Sequence, residues 1–112
     1  MRVYDLKVEL PIEEVLKKLD EGIVLGNITE RLDYYEVPSG DKGKFIVVVY
    51  GKHYYRANNR LTLTICLNDI NGITNLHAVG INEMGKPSRE DHCNVIEKFI
   101  DSPRRILGEY IK

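Results

Sequence analysis

Between Arg60 and Asn68 the chain alternates without a break: Leu61, Leu63, Ile65 and Leu67 fall on one side of an extended backbone, Thr62, Thr64, Cys66 and Asn68 on the other. A period of two over this length is a strand with one face committed to a core. Asn71-Gly72 follows between Ile70 and Ile73, and Asn-Gly is the strongest short hairpin signal, because both residues tolerate the positive φ of a tight turn. If those two residues are the whole loop, Ile70 opposes Ile73, Leu67 faces Leu76, Ile65 faces Ala78 and Cys66 faces His77.

The rest of the chain divides around this hairpin. Tyr4, Leu6, Val8 and Leu10 alternate with Asp5, Lys7 and Glu9 in a first strand. Pro11 suits a first helical position, Ile12, Val15, Leu16 and Leu19 follow at helical spacing, and Gly22 is the expected stop. Thr29 to Val37 reads as a second strand, with Leu32 and Tyr34 pointing one way and Arg31, Asp33, Tyr35 and Val37 the other. Turn formers fill residues 38–43, and Lys44 to Tyr50 is an almost unbroken apolar run, the expected central strand. Gly51 predicts a bend or bulge in the continuation to Tyr55, and Arg56-Ala57-Asn58-Asn59 turns the chain. Beyond Ile81, a polar loop from Asn82 to Pro87 leads to Ser88 as the cap of a helix starting at Arg89, with Val95, Ile96, Phe99 and Ile100 on one face. Asp101-Ser102-Pro103 interrupts it, with Ser102 as a fresh N-cap and Pro103 as a first helical position, so a kinked helix or two helices are expected.

The expected fold is a single α+β domain over residues 1–112: strand, helix, four antiparallel strands, helix, with a curled sheet and both helices on one face so that their apolar stripes are buried together. Sixteen Lys and Arg against seventeen Asp and Glu leave a net charge of -1, which supplies no field to attract a phosphate backbone or anionic lipid, so neither nucleic acid nor a membrane is expected as partner. With no secretory apolar core and no long apolar run, a cytoplasmic location is expected, and Cys66 and Cys93 read as reduced thiols.

The element order resembles the half-repeat of the TATA-binding-protein fold and also a cut-down helix-grip fold, a likeness of topology that transfers no function. Closer in sequence, Tyr55-Arg56-Ala57-Asn58-Asn59-Arg60-Leu61-Thr62-Leu63, and Glu21-Gly22-Ile23 after the first helix, resemble a family of small uncharacterised bacterial proteins known only as a domain of unknown function. The likeness spans nearly the whole chain, although loop Asn82 to Pro87 departs from the Ser/Gly-rich form of that family. It implies no activity.

Three groups of residues bear on chemistry. The hairpin brings Cys66 beside His77, and thiolate with imidazole suits zinc, but two ligands do not make a site. His92 and Cys93 are neighbours on a helix and point about 100 degrees apart, so they do not easily share a metal. The same Cys66-His77 pair has the types of a nucleophile and base, without any glycine-rich turn or helix start to serve as oxyanion hole. Packing is the simpler role. The second group, His53, Tyr54, Tyr55 and Arg56 with Asn59 and Arg60, gathers phenols, guanidinium groups and an amide at one end of the sheet, suited to a carboxylate or phosphate, or simply to covering the sheet end. Walker-type, G-x-G-x-x-G, H-E-x-x-H, C-x-x-C and G-x-S-x-G patterns are all absent, so neither cofactor nor enzymatic activity is expected.

The third group is the sheet face turned away from Leu61, Leu63, Ile65 and Leu67. It carries Tyr35, Val37, Phe45, Val47, Val49, Cys66, Val79 and Ile81 amid Thr62, Thr64, Asn68 and His77. Either this face stays open, as a surface for a homodimer or a protein partner, or sheet curl and the terminal helix hide it. The alternative function is a small apolar ligand held between Phe99, Ile106 and the sheet. DNA binding is disfavoured because the open face offers chiefly Arg31.

Overall fold

The computed structural model describes residues 2–24, 29–38, 40–54, 59–84 and 98–112. Five antiparallel strands, β1 (Arg2–Val8), β2 (Thr29–Pro38), β3 (Lys44–Tyr54), β4 (Asn59–Asn68) and β5 (Thr74–Met84), form one sheet in the order β1-β5-β4-β3-β2. Helix α1 (Ile12–Ile23) lies between β1 and β2, and the chain ends in helical residues 98–100, a turn at Asp101, helix α2 (Ser102–Leu107) and a 3-10 turn, Gly108–Tyr110. This is the expected α+β order. The helix expected from Arg89, with Ser88, His92, Cys93, Val95 and Ile96, lies outside the described residues, as does Tyr55.

The helices share one side of the sheet. Leu61, Leu63, Ile65 and Leu67 are fully buried there, flanked by Ile46, Val48 and Tyr50 from β3 and by Leu76 and Ala78 from β5. Tyr4, Leu6 and Val8 complete the layer, and Ile12, Val15, Leu19, Ile23, Phe99, Ile100 and Leu107 close over it. Each of the larger side chains contributes about 1.5–3 kcal/mol by leaving water. The Ile100 side chain sits where a Cβ on Gly80 would be, 2.6 Å from it, and Tyr4 donates its hydroxyl to the Ile100 carbonyl.

Four local expectations change. Gly22 is not the stop of α1: the helix runs through it to Ile23, and a Cβ there would lie 2.5 Å from Ile106, so the glycine admits α2 rather than ending α1. Pro11 precedes the first helical residue, its carbonyl accepting the Glu14 and Val15 amides. Ser102 does not cap α2, because its hydroxyl donates to the Lys98 carbonyl and Asp101 holds the N-cap position. The β4–β5 register is the one inferred from Asn71-Gly72, with Leu67 on Leu76 and Cys66 on His77, but the ladder ends at Asn68 and Asn75 and Ile70 is not paired with Ile73. The loop is wider because Asp69 is drawn to β3: its Oδ1 accepts the Lys44 amide at 2.6 Å, and Gly72, at φ 87, returns its N–H to the Asp69 carbonyl.

The largest change is in β2. Arg31 pairs with Tyr50 and Asp33 with Val49, so Leu32 is an extra residue, a bulge. Arg31 therefore turns to the helix side, and Leu32 lies over Gly51 on the other, 2.6 Å from where a Cβ would stand. Gly51 does signal a bulge, but the irregularity is in the neighbouring strand, whose leucine uses the space the glycine leaves.

Candidate functional site

The register arranges the sheet's open face in rows that cross all five strands. The middle row runs Asp5, His77, Cys66, Val47, Tyr35 from β1 to β2. On one side of it lies Lys7, Asn75, Asn68, Phe45, Val37, and on the other Val3, Val79, Thr64, Val49, Asp33. The candidate face residues Tyr35, Phe45, Val47, Val49, Cys66, His77 and Val79 are thus contiguous, with Cys66 on the central strand.

Several described side chains of this face are open to solvent. Tyr35 is 61% exposed, Phe45 39% and Ile81 38%, while Val47, Val49, Cys66 and Val79 are half-buried. The helix layer also stops short of β2. Of its ten residues only Thr29 is buried, so Tyr34 on the helix side is exposed as well as Leu32, Tyr35 and Val37 on the open side.

At the β1 side the face becomes polar. Asp5 accepts a hydrogen bond from His77 Nδ1 at 2.7 Å, and Asn75 Nδ2 donates to Asn68 Oδ1 at 3.1 Å and to Asn71 Oδ1 at 2.9 Å. Asp5, His77, Asn68 and Asn75, with Lys7, line a groove of about 370 Å³. Asp5 was not among the residues singled out from sequence. Alternation in β1 placed it on the polar side of its strand, but nothing local says that β1 pairs with β5, and only that pairing brings it to His77.

The resulting row, Asp5-His77-Cys66, has the residue types of a nucleophile with an oriented base. Its electrostatics do not match. Burial pushes the Cys66 thiol up from its usual range, which keeps it protonated and a poor nucleophile. Among the described residues, no group of three or more His, Cys, Asp or Glu is placed to hold a metal ion.

Tyr55 and Arg56 of the polar cluster lie outside the described residues. His53 pairs with Arg60 and Tyr54 with Asn59 at the ends of β3 and β4, so His53, Asn59 and Arg60 share one end of the sheet, and Arg60 is exposed. Arg31, the cation expected on the open face, instead reaches α1, where its Nη1 lies 2.9 Å from Asp20 Oδ2.

Between the C-terminal helices and the sheet, Phe99 is buried, Ile100 abuts Gly80 and Ile106 abuts Gly22. The opening beside Phe99 measures about 270 Å³ and is bordered by Ile23 and Phe99 as well as by Lys52, Lys98 and Arg105.

The fold and this face define a small α+β domain whose antiparallel sheet is roofed by helices on one side and open on the other. The chain belongs to the family of unknown function DUF6054, whose model matches residues 1–84, from β1 through β5. The two stretches that carry the family resemblance, around Gly22 and from Tyr55 to Leu63, fall inside the match. No curated protein matches the chain. Among the described residues no helix is long and apolar enough to cross a membrane.

Proposed function

We propose that this domain is a non-enzymatic module of the cytoplasm that pairs with a second copy of itself through the open face of its sheet. The observation that carries the reading is the overhanging strand β2, which presents the exposed Leu32, Tyr35 and Val37 beside the exposed Phe45 and half-buried Val47. Five strands about 4.8 Å apart and nine residues rising about 3.3 Å each give a face of roughly 700 Å² per protomer. Two such faces reach about 1,400 Å², within the range of stable specific interfaces. A second copy is the favoured occupant because symmetric homo-oligomers, two-fold dimers above all, are the commonest assemblies of soluble chains.

Pairing along the β2 edge is the competing geometry and is the weaker one. The bulge at Leu32, the carboxylate of Asp33 bonded to its neighbour's amide, and Pro38 at the strand end all oppose addition of another strand. Face-to-face packing of two sheets keeps every ladder intact and removes the apolar rows from water. A neutral Cys66 thiol supports a role without catalysis.

Analytical ultracentrifugation tests the proposal. The expected result is a dimer at micromolar to hundred-micromolar concentration, dissociated by Val47→Asp and by Tyr35→Glu with the circular dichroism spectrum unchanged. A strict monomer throughout that range, or a dimer indifferent to both substitutions, overturns it.

A further inference from the structure

Asn71, in the loop between β4 and β5, is the only asparagine of the chain that a glycine follows. The carboxamide of an asparagine is open to attack by the backbone nitrogen of the next residue, which closes a cyclic imide, and glycine hinders that attack least because it has no side chain. Both residues are exposed and lie outside the ladder, which ends at Asn68 and Asn75. Gly72 has φ 87, and among the described residues nothing lies within 4 Å of where its Cβ would stand, so no neighbour crowds it. A tight turn is the ordinary use of Asn-Gly, and it is compatible with this chemistry because both depend on the bare glycine backbone.

Two hydrogen bonds act on the reacting atoms in opposite directions. Gly72 donates its N–H to the Asp69 carbonyl at 3.2 Å, and that bond has to open before the nitrogen attacks. Asn75 Nδ2 donates to Asn71 Oδ1 at 2.9 Å, which draws charge from the carboxamide carbon and meets the negative charge that the oxygen gains during attack. A preorganised donor dedicated to such an oxygen accelerates acyl chemistry by ~10²–10³. Here the donor is exposed and shared with Asn68 Oδ1 and the Ile73 carbonyl, so roughly three- to tenfold is expected. Opening the single Gly72 bond slows the step by a similar factor. The two effects nearly cancel, and the fold leaves Asn71 about as reactive as it is in an unfolded chain.

We propose that Asn71 is a site of spontaneous, irreversible deamidation. The Gly72 nitrogen bonds to the Asn71 side-chain carbon, and its proton leaves with the departing amide as ammonia. Water then opens the imide at either carbonyl, giving aspartate or its β-linked isomer. No oxidant, cofactor or enzyme takes part. Each event lowers the net charge by one and puts a second carboxylate on the loop that Asp69 ties to the Lys44 amide. The β-linked product also lengthens the backbone of the turn that joins β4 to β5. The reaction is independent of the dimer reading.

Incubation of the full chain at mildly alkaline pH, followed by peptide mapping with mass spectrometry, tests the assignment. The expected result is conversion of amide to acid in the peptide that holds Asn71, with release of ammonia, at a rate within about tenfold of that in concentrated urea. Asn75→Ala is expected to slow the folded chain about three- to tenfold and to leave the rate in urea unchanged, which a merely local effect of sequence would not do. Asn71→Gln, whose longer side chain closes the ring far less readily, is expected to abolish the conversion in folded and unfolded chains alike. A folded chain still intact when the chain in urea has largely converted, earlier conversion at another asparagine, or Asn75→Ala reacting as fast as the parent chain or faster each overturns the proposal.

Discussion

Tyr50 donates its phenolic hydroxyl to Asp20 Oδ1 at 2.6 Å, while the other oxygen of the same carboxylate takes Arg31 at 2.9 Å. One acid at the end of α1 thus joins the helix to the central part of β3 and, through the bulge that turns Arg31 inward, to the overhanging β2. Tyr50→Phe keeps the fully buried ring and removes only the hydroxyl. Asp20 retains Arg31 and some contact with water, so the expected loss is about 1–2 kcal/mol, at the lower end for a hydrogen bond to a charged group. Urea unfolding of the variant beside the unmodified chain measures it.

Alkaline pH is expected to unfold the domain through its tyrosines. Burial, with Asp101 nearby, pushes the Tyr4 hydroxyl up to about 12, and burial with the Asp20 hydrogen bond raises Tyr50 as well. Both are neutral in folded and unfolded chains at neutral pH, so neither contributes a pH dependence there. Above about pH 10 the unfolded chain releases these protons while the folded chain holds them, and stability falls as pH rises toward 12. Thermal melts from pH 8 to pH 11.5 should show the decline, made shallower by Tyr4→Phe.

Two glycine-to-alanine substitutions should part company. At Gly80 the new Cβ would meet Cγ1, Cγ2 and Cδ1 of the buried Ile100 at 2.6–2.8 Å, and overpacking of this kind costs about 1–3 kcal/mol. At Gly22 the nearest atom is Cδ1, at the far end of the half-buried Ile106, which can swing aside. Replacing a glycine inside a helix also gains about 0.5–1 kcal/mol. Gly22→Ala is therefore expected to be near neutral and Gly80→Ala clearly destabilising, as read by denaturant midpoints.

Asp69→Ala removes the acceptor of the Lys44 amide and with it the tie between the β4–β5 loop and the start of β3. A loss of about 1–2 kcal/mol is expected. Asp69→Asn, which keeps an acceptor oxygen, should recover most of it. Amide exchange at Lys44 reports the change directly.

The residues that spoke most clearly in the sequence were those with a strict local period. The unbroken alternation from Leu61 to Asn68, joined to Asn71-Gly72, gave both the core side and the pairing of Cys66 with His77, even though the turn itself proved wider. In β2 the same method failed at one residue: a bulge adds a position, so every side chain before it exchanges faces, and Arg31 and Leu32 were assigned to the wrong sides. The clue was Gly51, far along the chain from Leu32, the residue that uses its space, and its meaning depended on that partner in another strand. Asp5 was hidden for the same reason, since its place beside His77 comes from a pairing between distant parts of the chain. The cleft of Lys52, Lys98 and Arg105 left no periodic trace at all, because three elements each supply a single cation.

The strand order also sets a schedule. Among the described residues β1 pairs with β5 and, at Val8, with Ile111, so once made it has no partner until some seventy further residues have been added. At about 5–20 residues per second, that is a wait of roughly 4–14 seconds. Throughout it Tyr4, Leu6 and Val8 lack their β5 neighbours, and Phe99, Ile100 and Leu107, which share their core, come later still.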